Sequence, residues 1–423
     1  MAKSIFDKIK ENKSPLGAVS GVGHHYFTFP VLEGETGPYM KFNGKTVLNW
    51  SLNNYLGLSN HPEVREADAN AIINYGLSYP MGSRMMSANS YQHEEFERQL
   101  ADFSEKEAAF LMNFGYQGIM SVIESVVDHR DVIVYDAESH ACLIDGIRLH
   151  KAKGGIYYKY NHNDMASLEL NLKRASKYVS QTGGGILVIT EGVFGMTGQV
   201  GKLDEIANLK ESYNFSLLVD DAHGFGVLGP NGKGTGEFFD VQDKIDIYFA
   251  TFTKAMSSMG AFVGAKEEVI LYLKYSARSQ IYAKALPMGY VLGGMKRLEM
   301  IRTQPHLREK LWNIANKLQA GLIKEGFNLE TTNCHVTPVY FHQNFTRDEV
   351  CNMVIDLREN MNIFCSVVIY PVVAKGVIML RLIPTATHSE ADVEYTILCF
   401  KKIRSKLNAG LYNHEIPSRE VFA

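Results

Sequence analysis

Short apolar runs alternate with amphipathic stretches through the first two thirds of the chain. The apolar runs fall at residues 108–112, 131–135, 185–190, 216–220, 246–251 and 261–264. Their length and apolar continuity, as in GILVIT and SLLVDD, suit strands buried on both faces. Helical periodicity fills several of the gaps, at residues 116–127, 141–150, 164–178 and 204–213. Strand–helix alternation predicts an α/β domain with a mostly parallel sheet. In such sheets ligands collect at the carboxyl ends of the strands, so residues just after these runs are the places to look for chemistry.

Near Pro287 the pattern changes. A long helical stretch over residues 289–325 precedes short strands near 336–341 and 377–382, which reads as a smaller α+β domain. The first 45 or so residues read as irregular and aromatic-rich (HHYFTFP). We therefore expect an N-terminal segment at 1–48, a large α/β domain at 49–288 and a small domain at 289–423. The aromatic segment is expected to pack on the second domain or a partner subunit, with peripheral membrane contact as the other option.

Composition narrows the function classes. The 423 residues carry 43 Lys+Arg against 46 Asp+Glu, a net charge of −3, with no basic excess for nucleic acid. Five scattered cysteines without a CxxC argue against a disulfide framework or a structural zinc. The fourteen histidines are scattered apart from His24-His25, with no HExxH, so no metal site is expected. The N-terminus lacks a signal-peptide core, and no apolar run has the length of a membrane span, so the chain is expected to be cytoplasmic.

Two strand ends carry the candidate chemistry. SLLVDDAHGFGVLG ends an apolar run in Asp220, Asp221 and then His223. Its Gly224, Gly226 and Gly229 match GxGxxG, but Pro230 and further glycines follow where a helix should begin, so a dinucleotide site is rejected. In ATFTKAMSSMG, Lys254 follows another apolar run and is flanked by Thr251, Thr253, Ser257 and Ser258. Hydroxyls beside a lysine suit a phosphate ester. An acid at one strand end and a lysine at another suggest pyridoxal 5'-phosphate, which needs a carboxylate at its ring nitrogen and a Schiff-base lysine.

Together VDDAHGFGVLG, TFTKAMSSMGAF, NNYLGLSNHP and DAESHACLIDGIRLH resemble the α-oxoamine synthase family of fold type I pyridoxal-phosphate enzymes, over residues 50–388. The resemblance implies a homodimer with a shared active site and a decarboxylating Claisen condensation of an amino acid with an acyl thioester, on coenzyme A or acyl carrier protein. It implies that Lys254 holds the cofactor, that Asp220 pairs with the ring nitrogen, that His223 meets the phenolic oxygen and that His140 stacks on the ring. Gly115 and Tyr116 backbone N–H groups, with Thr251 and Thr253, would bind the phosphate. Arg381, with Asn53 ahead of Asn54, would bind the substrate carboxylate.

Three stretches depart from the family pattern. VFGM has Gly195 where a serine is usual, which leaves His223 alone or with water at the phenolic oxygen. YAKALP has Ala283 in place of a hydroxyl that reaches the neighbouring subunit's phosphate, with Lys284 beside it. SYPMGSRMMSAN replaces a glycine-rich stretch and has Ala88 for a glycine. The last variant, with the N-terminal part, is most similar to relatives that use serine or cysteate with a long-chain acyl group, for sphingolipid or sulfonolipid synthesis. A sulfonate would want a further cation, and Lys284 or Arg84 is placed to supply it. The alternatives are glycine or alanine as the amino acid, a fold type I aminotransferase, and a non-catalytic homologue.

Overall fold

The computed structural model describes residues 4–11, 23, 25–341, 345–370, 372–373 and 375–415. The chain divides into two compact units. The larger contains residues 53–195 and 199–310, and the smaller contains 1–52, 196–198 and 311–423.

The larger unit is built on a seven-stranded sheet. Its strands are β1 (Ala108–Met112), β2 (Val132–Asp136), β3 (Ile156–Tyr160), β4 (Ile186–Glu191), β5 (Ser216–Asp220), β6 (Ile247–Thr251) and β7 (Ala261–Ala265). The order across the sheet is β1-β7-β6-β5-β4-β2-β3. Only β7 runs antiparallel to its neighbours, so the sheet is mostly parallel, as the alternation predicts. The helices that matter for the site are α1 (Gly115–Val126) and α2 (Ala141–Ala152), which pack on β1, β2 and β4 through Ile119, Ile123, Leu143 and Ile147.

The sequence pattern missed β3. It is an edge strand, IYYKY, largely half-exposed, and it lacks the continuous apolar run that marks its fully buried neighbours. The single long helix expected over residues 289–325 is two helices, α3 (Met288–Thr303) and α4 (Pro305–Lys324). The break falls at Gln304, where Pro305 disfavours helical backbone in the residue before it and suits the first turn of a new helix.

The smaller unit holds an antiparallel sheet of β8 (Thr337–Phe341), β9 (Ser366–Val368) and β10 (Ile378–Leu382), in the order β8-β10-β9. The N-terminal part is less irregular than expected. It contains a short helix, Ile5–Glu11, and the strands Leu32–Glu33, Tyr39–Phe42 and Lys45–Asn49. Of its aromatic stretch, Tyr26 and Phe27 pack with Phe42, Val47 and Phe364, and the Arg358 guanidinium lies 4.1–5.5 Å from four of those rings. That is the packing expected against the C-terminal part; His24 lies outside the described residues. Among the described residues no helix is long and apolar enough to cross a membrane.

Candidate active site

Asp220, Glu191 and Thr251 are the last residues of β5, β4 and β6. Past the end of β1, Asn113 and Phe114 lead into α1 at Gly115, and past the end of β2 His140 caps α2. The sheet thus gathers Asp220, Thr251, Gly115, Tyr116 and His140 at its carboxyl edge, with Lys254 three residues beyond β6. This is where ligands of parallel sheets bind.

The two adjacent acids of VDDAH have different surroundings. Asp221 is fully buried and accepts hydrogen bonds from Thr235 N (2.7 Å), Thr235 Oγ1 (2.6 Å) and Tyr248 Oη (3.0 Å). Burial lifts its pKa to about 6. It is a structural acid that ties the loop after β5 to the sheet. Asp220 is buried too, but its protein partners are sparser: Oδ1 accepts from Ala222 N at 3.1 Å and Cys142 Sγ lies 4.0 Å from Oδ2. Burial raises its pKa, while the positive charge of Lys254 and the Ala222 N–H pull it down.

Glu191 sits beside Asp220 in register on the neighbouring strand. Burial raises its pKa well above the ordinary value, and the Asp220 charge adds to that. Both carboxyls of the pair are thus pushed toward the protonated form, and Glu191 Oε1 accepts the His140 backbone N–H at 2.5 Å. Two carboxyl groups so close cannot both ionise cheaply in a low-dielectric site.

His140 is solvent-exposed, yet the protein around it desolvates the imidazole and lowers its pKa, with the Lys254 charge adding to the shift. Its Nδ1 accepts from Cys142 N at 3.3 Å, which leaves a neutral ring. Tyr116 meets that ring edge-on, centroids 6.2 Å apart, and is held by donating its hydroxyl to Asp145 Oδ2 at 2.5 Å.

His223 has a partner that the sequence reading missed. Tyr55 Oη lies 2.6 Å from His223 Nδ1, and both side chains are buried. Tyr55 stands inside the NNYLGL motif. Tyr55 thus fixes the His223 ring from its Nδ1 side. The glycine at 195 now has a physical reason: a Cβ there would lie 2.0 Å from His223 Nε2. We expect Gly195→Ser to displace the imidazole and cost about 1–3 kcal/mol, as overpacking does. A denaturant titration would show it. Adding Tyr55→Phe to that variant should cost little more, because the hydrogen bond is already broken. Equal midpoints for Gly195→Ser and the parent protein would refute this account.

Of the paired asparagines, Asn54 is committed to structure. Its Oδ1 accepts from Ser59 N (3.1 Å) and from Ser257 Oγ (2.6 Å), which ties NNYLGL to the lysine loop. Asn53 Oδ1 lies 3.4 Å from Tyr55 Oη. Arg381 is on β10 in the smaller unit, buried and opposite Pro338 and Ser366. Arg84 is bound by Glu97 and Asn89, with two contacts to Asn89 Oδ1 at 2.7 and 2.9 Å, so its charge is paired.

Pyridoxal phosphate fits this arrangement. The α1 N-terminus has no side-chain cap and no acid in its first turn, as an anion site requires. A Cβ at Gly115 would lie 3.0 Å from Thr251 Oγ1 and 3.1 Å from its Cβ, so glycine lets the helix start this close to β6 without shifting Thr251. The Thr251 hydroxyl lies 3.1 Å from Gly260 O and 3.1 Å from Thr253 Oγ1, and Thr253 itself is exposed at the strand end. The buried Asp220–Glu191 pair suits a cationic ring nitrogen.

Comparison with known proteins agrees. Residues 45–398 match the class I and II aminotransferase family. The chain is 56% identical, over 97% of its length and 96% of the relative's, to cysteate-C-fatty acyltransferase of Capnocytophaga ochracea. It is 35% identical to 8-amino-7-oxononanoate synthase of Thermoanaerobacter pseudethanolicus, over 90% of this chain and 94% of that one. The fold superposes on a serine palmitoyltransferase variant from S. paucimobilis with a bound PLP–myriocin aldimine, with a TM-score of 0.87 and 24% identity, covering 96% of this chain and all of that one. Motifs, fold and relatives agree: the chain belongs to the class I and II aminotransferase family, in its α-oxoamine synthase branch, and its cofactor is pyridoxal 5'-phosphate.

Proposed function

We propose that this protein condenses cysteate with a long-chain acyl thioester, losing CO2 and the free thiol, to give a sulfonated 3-oxo long-chain amine. This is the first step of a sulfonolipid base. One observation carries the chemistry: the carboxyl edge of the sheet brings buried Asp220 and Glu191 together with His140, and Lys254 follows β6 by three residues, near enough for its charge to reach all three. The relative that shares more than half of its residues with nearly the whole chain, a cysteate acyltransferase, supports the choice of amino acid. Serine is the other amino acid of this reading. The relatives named as 8-amino-7-oxononanoate synthases keep alanine or glycine transfer as the second reading.

The cofactor, when bound, supplies an electron sink for charge at the amino acid's α-carbon. The chain's residues do the rest. The Lys254 amine binds the cofactor, then takes and returns the α-proton. With the cofactor bound, the Asp220 carboxylate would hold positive charge at the ring nitrogen, His223 with Tyr55 behind it would meet the phenolic oxygen, and His140 would stack on the ring. Gly115, Tyr116, Thr251 and Thr253 would hold the phosphate. Arg381 and Asn53 bind the substrate carboxylate, a planar fork against a planar anion. As the new C–C bond forms, the C–S bond breaks and the thiol leaves; the bond to the carboxylate then breaks and CO2 departs.

The protein acts in the cytoplasm, in this reading, as a homodimer. Ile73, Leu77, Met81, Met86 and Tyr91, exposed and close together along the chain, support the dimer, since large apolar side chains left in solvent are what an interface covers. The test is the visible spectrum of purified protein, titrated in turn with glycine, alanine, serine and cysteate. A saturable shift at the lowest concentration with cysteate is expected. A response to glycine or alanine alone overturns the choice of amino acid, and a colourless protein indifferent to added cofactor overturns the enzyme reading.

A further inference from the structure

The two stretches that depart most from the family pattern are neighbours in space. Ala285 N donates to Gly82 O at 2.8 Å, and Met288 N donates to Tyr79 O at 2.9 Å. Lys284 lies at this seam. Its carbonyl accepts from Asn113 Nδ2 at 2.6 Å, two residues before α1 begins at Gly115. The seam therefore adjoins the uncapped helix end that suits a phosphate.

The Lys284 ammonium is the unusual group. The residue is half-buried, but Nζ itself is shielded from solvent and has no hydrogen-bond acceptor among the described residues. An ammonium has three donors to satisfy. Buried and unpaired, it is costly, and proteins pair such charges or neutralise them. Nearby Arg84 is no model for it, because Glu97 and Asn89 take up its guanidinium. After burial itself, the charges of Arg84 and Lys284 both depress the pKa of buried His93, while the Glu97 charge, paired with Arg84, raises it.

We propose that Lys284 belongs to a binding site for a tetrahedral XO3 oxyanion, which completes its ammonium. Two groups have that chemistry here: the sulfonate of the amino-acid substrate and the phosphate of the cofactor. The sulfonate source rests on the function proposed above; the unpaired ammonium does not.

Lys284→Met keeps the length and removes the charge; Lys284→Arg keeps the charge. The melting of apo-protein is followed with increasing methanesulfonate or inorganic phosphate, then cofactor dissociation by absorbance, then the cysteate-to-serine preference. The parent and the arginine variant should be stabilised saturably by the anions. The methionine variant should lose that response while melting no lower than the parent without anion. A cofactor Kd raised about tenfold or more, with amino-acid preference unchanged, identifies the phosphate as the partner; one ion pair across a desolvated contact is of that order. A cysteate preference reduced by a similar factor, with cofactor retained, identifies the sulfonate. Equal anion responses in parent and methionine variant, with cofactor affinity and preference unchanged, overturn the proposal. A parent protein that does not take cysteate refutes the proposed function and leaves the phosphate arm intact.

Discussion

Lys254→Ala is expected to lower turnover by roughly 10³-fold or more, because one side chain is asked both to bind the cofactor covalently and to move the α-proton. The fold should survive. The lysine loop is held by its backbone and its neighbours: Ser257 N donates to Lys254 O at 2.9 Å, and Ser257 Oγ reaches Asn54 Oδ1 at 2.6 Å. Neither contact needs the Lys254 side chain. A second readout needs no substrate. Lys254's charge lowers the pKa of His140, Asp220 and Glu191. Its removal must therefore raise all three, and the His140 imidazole signal in an NMR titration reads this directly. A His140 titration that does not move, or substantial turnover in the alanine variant, would place Lys254 outside the site.

The strand ends were legible because this chemistry leaves a mark in one dimension. An apolar run that stops at Asp220, or stops three residues before Lys254, shows the sheet edge and the reactive group in one glance. Glu191 carries the same mark, at the end of GILVITE, and was passed over because its partner Asp220 is 29 residues away. Tyr55 was missed for a related reason. Its bond to His223 spans 168 positions, and nothing in NNYLGL says which of its polar residues faces a histidine. Gly195 shows the limit from the other side. Read as a missing donor, it looked like a loss; in three dimensions the imidazole fills the space that a side chain would need. Lys284 and Arg84 looked equivalent as candidate cations in the sequence. Only packing separates them, since Glu97 neutralises one and nothing described bonds the other. The helix break at Gln304-Pro305 was readable from proline stereochemistry, whereas edge strand β3 lacks the burial that makes a strand apolar.

Asp220→Asn should separate stability from activity. Asparagine keeps the shape and can still accept from Ala222 N, but it carries no charge. Removing one member of a buried ion pair costs about 3–5 kcal/mol, or two to nearly four decades in rate constant if that loss falls on the transition state. The drop should appear in kcat more than in KM for the amino acid, because Asp220 acts on the ring nitrogen and not on substrate. The apo-protein should respond the opposite way. The pKa of Asp220 is raised on folding, mainly by burial, so the folded chain binds its proton more tightly than the unfolded chain. Stability of the apo-protein therefore falls as pH rises from the ordinary carboxylate range through the folded pKa, and ionised Asp220 is a cost at neutral pH. Asparagine removes that cost. Apo Asp220→Asn should melt higher than the parent at neutral pH, with the gap closing in acid, while turnover is lost. Charge at a functional site held against stability is a known trade-off. An apo variant that melts lower at neutral pH, together with undiminished kcat, would mean that Asp220 is a structural acid like its neighbour Asp221.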